Sequence, residues 1–245
     1  MDLLREMMGV YKVETKIDIV FVIDLSLGME PMLSLIRNTP WGEIIKKLCL
    51  SQGREIGTLR FKVMWYADSK HCCNDSCFGE SKFYLMPHEE HDFYYFLNNL
   101  HIISDGEKTP GLEALERALD SDWNQDGDRL RHIIILFTDK EAYQKRVTHT
   151  MDLEYIGGQW EDEHQSEETL CTFFEMWSRD DSKYGFKGNG KLSVPGRRLV
   201  LFAPGAYPWI NLEYEAEHVI RYDVALGQGG REISGEDIQS IFYLH

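Results

Sequence analysis

The sequence has few cysteines, and their arrangement does not suit a disulfide framework. There are five, an odd number, in 245 residues, and three of them crowd together as Cys72, Cys73 and Cys77. Disulfide scaffolds space an even number of cysteines along a short chain. We therefore expect a reducing, cytoplasmic compartment. His71 beside these cysteines adds a fourth soft ligand, but no second pair completes a zinc pattern, and we interpret the segment as an ordinary loop.

Positive charge is also scarce. The chain has 26 Lys and Arg against 41 Asp and Glu, which gives a net charge of -15. Such a chain repels phosphate backbones and anionic membrane surfaces. Neither nucleic acid nor a membrane is an expected partner.

Long apolar runs and nucleotide motifs are missing. No stretch has the roughly 20 apolar residues of a membrane span, and residues 1–11 lack the basic start and apolar core of an export signal. Neither a G-x-G-x-x-G motif nor a P-loop follows the first apolar run, and the glycines at 227–230 come much later in the chain. Nucleotide binding is therefore not expected.

The hydrophobic content is sufficient for one large core. At 43% hydrophobic residues, residues 1–245 are expected to form a single domain in which 1–15 are an N-terminal extension. Two polar or glycine-rich stretches, 144–166 and 178–197, are predicted to be long loops and not domain boundaries.

Apolar runs and helical patterns alternate along the chain. Runs rich in β-branched and aromatic residues predict strands at 17–23, 59–66, 82–85, 132–138, 198–203 and 218–222. Apolar periodicity predicts helices at 31–37, 40–49, 90–100, 111–119, 167–177 and 235–243. Strands that are apolar throughout must be covered on both faces. The pattern predicts an α/β, doubly wound, mostly parallel sheet with helices on both faces, and the short run at 82–85 is expected to be one antiparallel edge strand.

Polar residues follow two of these strands where ligands usually bind. In doubly wound sheets the binding crevice lies beyond the carboxyl ends of the strands. Asp24 and Ser26 follow the first strand, and Asp139 follows the strand at 132–138. Two neighbouring carboxylates raise each other's pKa, and a hard divalent cation relieves that repulsion. Magnesium is the ion that best suits carboxylate, hydroxyl and water ligands.

Several segments resemble one family. IDIVFVIDLSLGMEPMLSLI resembles the first strand and metal loop of von Willebrand factor A domains, whose pattern is Asp-x-Ser-x-Ser. RFKVMWYAD, GLEALERAL and RHIIILFTDKEAY resemble later segments of that family in the same order, and RLVLFAPGAYPW with the C-terminal helix is similar to a bacterial intracellular subgroup. Together they cover most of residues 17–245. The resemblance implies a Rossmann-like fold, a metal-ion-dependent adhesion site and a protein partner that gives an acidic side chain to the ion.

The resemblance assigns roles at this site. It makes Asp24 the first acid, Ser26 the first hydroxyl and Asp139 the acid that contacts the metal through water. The family's second hydroxyl is replaced by Gly28, and the second-loop position falls on Gly106. Nearby oxygen ligands that can substitute in that loop are Asp105, Glu107 and Thr109. The site is therefore degenerate, and we expect Mg²⁺, Ca²⁺ or Mn²⁺ to bind weakly or not at all.

Three other interpretations start from the same residues. The fold can serve as a scaffold that binds a partner without metal, with Gly28 and Gly106 as signs of a decayed site. A hydrolase would use Ser26 as nucleophile with His149 or His218 as base, but Asp24 beside it opposes the charge that develops in acyl transfer. A phosphatase would use Asp24 as nucleophile and wants an acid where Ser26 stands. We expect a binding protein and not an enzyme. Asp68, after the second strand, is expected to be a turn or cap residue.

Overall fold

The computed structural model describes residues 13–51, 55–68, 77–104, 106–143, 170, 172–177 and 190–241. The strands are β1 (Thr15–Asp24), β2 (Ile56–Tyr66), β3 (Phe78–Glu80), β4 (Tyr84–Leu85), β5 (Lys108–Thr109), β6 (Arg129–Phe137), β7 (Glu141–Ala142), β8 (Arg197–Ala203) and β9 (Val219–Asp223). The helices are α1 (Glu30–Asn38), α2 (Trp41–Ser51), α3 (Glu90–Asn98), α4 (Gly111–Leu119), α5 (Trp209–Glu215) and α6 (Gly235–Ser240). Residues 172–177 are also helical.

Seven of the strands form one sheet in the order β3–β2–β1–β6–β8–β9, and β4 also pairs with β2. Strands β2, β1, β6, β8 and β9 are parallel to their neighbours in this order, whereas β3 and β4 are antiparallel to β2. The predicted α/β doubly wound fold with an antiparallel edge is confirmed. Because β1 and β6 are neighbours, the residues that follow them meet at the same end of the sheet.

Strand β1 lies in the middle because both of its faces are apolar. Phe21 on one face packs against Trp41 and Phe93, whose ring centroids lie 4.8 and 5.6 Å away. The opposite face includes Val20 in a second cluster with Leu115. Helices α1, α2, α3 and α6 cover the first face, and α4, α5 and residues 172–177 cover the second. This two-sided covering holds the ends of the strands in fixed positions.

The antiparallel edge differs from the single strand predicted at 82–85. Residues Phe78–Glu80 and Tyr84–Leu85 form two short strands. Between them the Val63 N–H donates to the Ser81 hydroxyl at 2.9 Å, so a side chain replaces a backbone carbonyl as the partner of β2. This substitution interrupts the backbone ladder and explains the break.

Other boundaries also differ from the sequence prediction. Helix α5 was not predicted, since its seven residues hold only the buried pair Trp209 and Leu212 as an apolar signal. Strand β1 starts at Thr15, so the predicted extension 1–15 reaches too far. The predicted loop 178–197 ends in a 3₁₀ turn at Val194–Gly196 and the first residue of β8. The predicted loop 144–166, residues 178–189 and positions 71–76 lie outside the described residues.

A buried polar network closes the other end of the sheet. Asp18, fully buried in β1, accepts hydrogen bonds from Arg60 Nε and Nη2 at 2.8 and 2.7 Å. It also accepts from the backbone N–H and side-chain amide of Asn124 at 2.7 and 2.9 Å. At about 3.3 Å per strand residue, Asp18 lies about 20 Å from Asp24.

Among the described residues, no helix is long and apolar enough to cross a membrane.

Candidate metal centre

The first part of the site is the turn that follows β1. Asp24 is the last residue of β1 and is fully buried. The Ser26 N–H donates to Asp24 Oδ1 at 2.9 Å, which is the local hydrogen bond that favours Asp at such turns. The Leu27 N–H donates to the Ser104 carbonyl oxygen at 2.6 Å and so fixes the turn against the second loop. Asp-x-Ser thus brings one acid and one buried hydroxyl to the end of the sheet.

Hydroxyl groups surround the other oxygen of Asp24. Thr138 Oγ1 donates to Asp24 Oδ2 at 2.6 Å, and Thr109 Oγ1 donates to the same atom at 3.2 Å. Burial raises the pKa of Asp24 to about 6, although hydrogen bonds from Thr138 and Ser26 oppose the rise, and the nearby charge of Asp139 adds to it. Burial, and then the charge of Asp24, raise the pKa of Tyr66. Asp24 is therefore held where a proton or a cation is favoured.

The second loop brings Thr109 to the site. Thr109 is fully buried in β5 and contacts Asp24 through its hydroxyl. Strand β5 pairs with β7 just after Asp139, which fixes this loop beside β6. Glu107 is exposed, and Asp105 lies outside the described residues. Among the second-loop residues that the structure describes, Thr109 contacts Asp24.

Gly106 takes part in a different contact. A Cβ at this position would lie 2.1 Å from Asp68 Oδ2, so the backbone of the loop packs directly on that side chain. Asp68 is buried and accepts a hydrogen bond from the Tyr143 hydroxyl at 2.5 Å. Burial, and then the hydrogen bond to Asp68, raise the pKa of Tyr143. Beyond the turn or cap role expected of it, Asp68 therefore also supports the second loop.

Asp139 follows β6 and is fully buried. Its Oδ2 accepts a hydrogen bond from the Gly229 N–H at 2.8 Å, and its backbone oxygen accepts one from the Gly227 N–H at 2.9 Å. Its Oδ1 has no hydrogen bond among the described residues and lies 3.7 Å from the Lys140 ammonium. Burial raises the pKa of Asp139, and the Gly229 N–H and then Lys140 oppose the rise.

Gly28 adjoins both the first loop and Asp139. Its φ is +106°, and a Cβ there would lie 3.0 Å from Asp139 Oδ2. A serine at this position would have to adopt a strained backbone conformation. The structure therefore brings together Asp24, Ser26, Gly28, Thr109 and Asp139.

The oxygen atoms present fit a hard cation. Ser26 Oγ and Asp139 Oδ1 are both buried and have no hydrogen-bond partner among the described residues. Buried polar atoms normally have partners, and an ion or its water would supply them. Among the described residues no group of three or more His, Cys, Asp or Glu side chains is placed to hold a metal. An ion here would depend on two carboxylates, hydroxyls and water, which suits Mg²⁺ or Ca²⁺ better than Zn²⁺.

Sequence reasoning missed two parts of this site. Thr138 directly precedes Asp139, and its position at the strand end was the only signal available. Gly227 and Gly229 contact Asp139 although they lie far away in the chain, and no local pattern indicates that contact. The hydrolase interpretation needs a histidine beside Ser26. His218 lies just before β9, at the opposite end of the sheet from Ser26, and His149 lies outside the described residues.

The comparisons with known proteins concern the fold. No protein-family model and no curated protein matches the chain. Similar solved structures include the PilB minor pilin from Streptococcus sanguinis, with 12% identity, a TM-score of 0.50, and coverage of 94% of this chain and 61% of that one. This likeness shows the fold alone.

Two further structures have lower scores. The pilus adhesin SpaC from Lactobacillus rhamnosus GG has 12% identity and a TM-score of 0.48, over 94% of this chain and 30% of that one. Proximal thread matrix protein 1 from the mussel byssus, in a structure with a zinc-occupied MIDAS motif, has 14% identity and a TM-score of 0.46, over 94% of this chain and 46% of that one. The chain thus spans between 30% and 61% of the length of these three structures.

Proposed function

We propose that the protein is an interaction module that binds a protein partner through a divalent cation of the Mg²⁺ type at the ends of β1 and β6. The observation that carries the proposal is the convergence of Asp24, Ser26, Thr109 and Asp139, in which two buried oxygens have no hydrogen bond. When bound, the cation would supply positive charge that draws an acidic side chain of the partner. Asp24, Ser26 and Thr109 would hold it directly, and Asp139 through water.

The surface around the site supports a protein partner. Leu27, Ile103 and Leu226 are 63%, 43% and 55% exposed. They lie on three different loops, each next to a residue that is part of the site or contacts it: Ser26, Ser104 and Gly227. Exposed apolar side chains grouped around a polar site are typical of protein interaction surfaces. We call these three residues the apolar rim.

The proposal also covers the cellular compartment, the lack of catalysis and the class of partner. The odd number of cysteines, three of them crowded at 72, 73 and 77, supports a reducing, cytoplasmic compartment of a bacterial cell. The site is proposed to bind and not to catalyse, since Ser26 Oγ contacts no base among the described residues. A net charge of -15 supports partners other than nucleic acid or membrane.

Calorimetric titration with Mg²⁺ tests the metal part of the proposal. We expect the unmodified protein to bind one ion with a Kd on the order of 10⁻⁴–10⁻³ M, as in other weak oxygen-ligand sites. Asp24→Asn is expected to abolish the heat, and Thr109→Val to weaken binding severalfold. Glu107→Gln is the matched control, because it removes an exposed acid from the same loop and should bind like the unmodified protein. Equal losses in all three variants would indicate diffuse attraction to an acidic surface and contradict a defined site.

Affinity purification in Mg²⁺ tests the partner. A bound protein should be released by a chelator and should be missing when Asp24→Asn is the bait. Leu27→Ser should reduce its recovery while leaving the Mg²⁺ heat unchanged, because the apolar rim contacts the partner and not the ion. A partner retained in chelator by both variants would favour a second candidate, the metal-independent scaffold. That candidate is supported by Gly28 and Gly106, which stand at positions where the resemblance expects ligands.

A further inference from the structure

A loop far from the site in sequence lies directly over it. Residues 225–230, here called the covering loop, follow β9 and contact Asp139 twice. The Gly227 N–H donates to the Asp139 backbone oxygen at 2.9 Å, and the Gly229 N–H donates to Asp139 Oδ2 at 2.8 Å. The loop is therefore attached to one of the two acids of the candidate metal centre.

The covering loop also contacts the turn after β1. A Cβ on Gly229 would lie 1.8 Å from the Gly28 carbonyl oxygen and 3.2 Å from Pro31 Cδ. Only a residue without a side chain can bring its backbone so close. The Gly227 carbonyl oxygen lies 3.7 Å from the position that a Cβ on Gly28 would take. The space of the family's second hydroxyl is thus enclosed between Asp139 and the covering loop.

This enclosure leaves the site without access from solvent. Asp24, Ser26 and Asp139 are all fully buried. A carboxylate from another protein cannot approach them while Gly229 stays on Gly28. The hydrogen bond from Gly229 occupies Oδ2 of Asp139 and leaves Oδ1 unbonded, so closure and an ion do not compete for the same oxygen.

We infer that the covering loop is an autoinhibitory lid: it closes the candidate metal centre in the free protein and must leave Gly28 and Asp139 before a partner's carboxylate can bind. The inference rests on the proposed function for what enters, whereas the closure itself is independent of any ion. Gly28 then has a further role, because its carbonyl oxygen is the atom on which the Gly229 backbone packs.

The outer part of the covering loop is suited to opening. Residues 225–228 are exposed, and Leu226, the large apolar side chain of the loop, is 55% exposed, whereas Gly229 and Gly230 are buried. Few buried apolar contacts and a small number of hydrogen bonds are characteristic of segments that open locally at low free-energy cost. The Ala225 N–H also donates to the Glu232 carboxylate, which fixes the start of the loop. Opening therefore concerns mainly the glycines that follow.

Two glycine variants separate closure from backbone strain. Gly229 and Gly227 have similar left-handed φ values, +65° and +69°, so alanine is strained to a similar extent at both. A Cβ at Gly229 meets the Gly28 backbone, whereas a Cβ at Gly227 has nothing within 4 Å. Gly229→Ala should therefore force the lid open, and Gly227→Ala is its matched control.

Amide hydrogen exchange in chelator measures the closure without metal. The peptide that contains 225–230 should exchange at least about tenfold more slowly than an unprotected chain in the unmodified protein. Gly229→Ala should raise its exchange about tenfold or more, and Gly227→Ala less than about threefold. Unprotected exchange in the unmodified protein, or equal effects of the two variants, would overturn the lid. The first of these measurements needs no variant and so decides even if Gly229→Ala fails to fold.

Water proton relaxation with Mn²⁺ as the probe measures access to the site. Bound Mn²⁺ should have low relaxivity in the unmodified protein and in Gly227→Ala, and at least about twofold higher relaxivity in Gly229→Ala, because opening admits exchanging water. Equal relaxivity in all three would contradict the lid while leaving the metal site intact. No binding of Mn²⁺ in any of them would contradict the proposed function, and the exchange measurement would still decide the lid.

Discussion

Asp24 shows how one carboxylate is made ready for a cation by its surroundings. It is fully buried, and its hydrogen-bond donors are the hydroxyls of Thr138 and Thr109 and the Ser26 N–H. None of these groups carries a charge. The effect of burial therefore exceeds the effect of their hydrogen bonds, and the pKa of Asp24 rises to about 6. A divalent cation is the partner that would restore the charged form.

Replacing Asp24 with asparagine should stabilise the metal-free protein. In chelator at pH 7 we expect a gain of about 1–3 kcal/mol in the free energy of unfolding, since one pKa unit corresponds to about 1.4 kcal/mol. The hydroxyls can reverse and accept from the new amide, so the buried hydrogen bonds survive. Denaturant unfolding of both proteins checks the difference.

The same variant tests the pH dependence. Because the folded-state pKa of Asp24 is raised from 3.8 to about 6, its protonation stabilises the fold fully below pH 3.8, and this contribution is lost as the pH rises through about 6. In chelator the unmodified protein should lose stability between pH 4 and 6 relative to Asp24→Asn. A constant difference between the two proteins over this range would contradict a raised pKa.

At this scale the sequence predicts acids better than it predicts what surrounds them. Asp24, Ser26 and Asp139 follow apolar strands, so their common end of the sheet can be inferred from the fold. That Thr109 and not Glu107 contacts the site cannot be inferred in this way, because it depends on which face of a two-residue strand turns inward. The resemblance placed the second-loop position at Gly106, whose backbone packs on Asp68.

Helix α5 fixes the segment that holds Asp139. Trp209 at its start is fully buried, and its indole N–H donates to the Lys140 carbonyl oxygen at 2.8 Å. The same ring packs against Gly111, where a Cβ would lie 2.6 Å from it. One side chain therefore connects the turn after β6 with the start of α4.

Trp209→Phe should loosen this connection. The variant keeps an aromatic ring but leaves the Lys140 carbonyl without its donor, for which we expect a loss of about 1–3 kcal/mol in the free energy of unfolding. Mg²⁺ affinity should also fall severalfold, because the turn that holds Asp139 is less fixed. Tyr214→Phe on the same helix, whose side chain is 78% exposed, is the control and should change neither quantity. A stable variant with unchanged Mg²⁺ binding would show that α5 does not position the turn.

At the level of elements, strong patterns were predicted well and short ones were not. The long apolar strands and the periodic helix α4 were found close to their observed bounds. Strand β3 and strands β5 and β7 have two or three residues each, too few to show a period. Their pairing is decided by tertiary contacts, which a local pattern does not contain.

Across the whole molecule, polar groups are buried at both ends of β1 for different reasons. At one end Asp18 and Arg60 satisfy each other, and Asp18 also accepts from Asn124. At the other end, oxygens of Ser26 and Asp139 have no hydrogen-bond partner among the described residues. A satisfied network stabilises a fold, whereas buried atoms without hydrogen bonds call for an explanation, which an ion would provide here.

Asp18→Asn should separate stability from binding. Arg60, whose side chain is 20% exposed, would lose its ionised partner, for which we expect a loss of about 2–4 kcal/mol in the free energy of unfolding. Mg²⁺ binding should be unchanged, because the site lies about 20 Å away. Denaturant unfolding and calorimetry on the same variant check both statements. A matching loss of Mg²⁺ affinity would mean that the two ends are coupled through the sheet.

Strand β9 lies at one edge of the sheet. Among the described residues β9 pairs with β8 alone, so within the described part of the chain it forms an edge of the sheet. Arg221 stands on this strand between two acids, Glu213 at 2.8 Å and Asp223 at 2.5 Å. Fixed charges along such an edge discourage a second copy from adding a strand. We therefore expect these charges to disfavour a dimer that extends the sheet through β9.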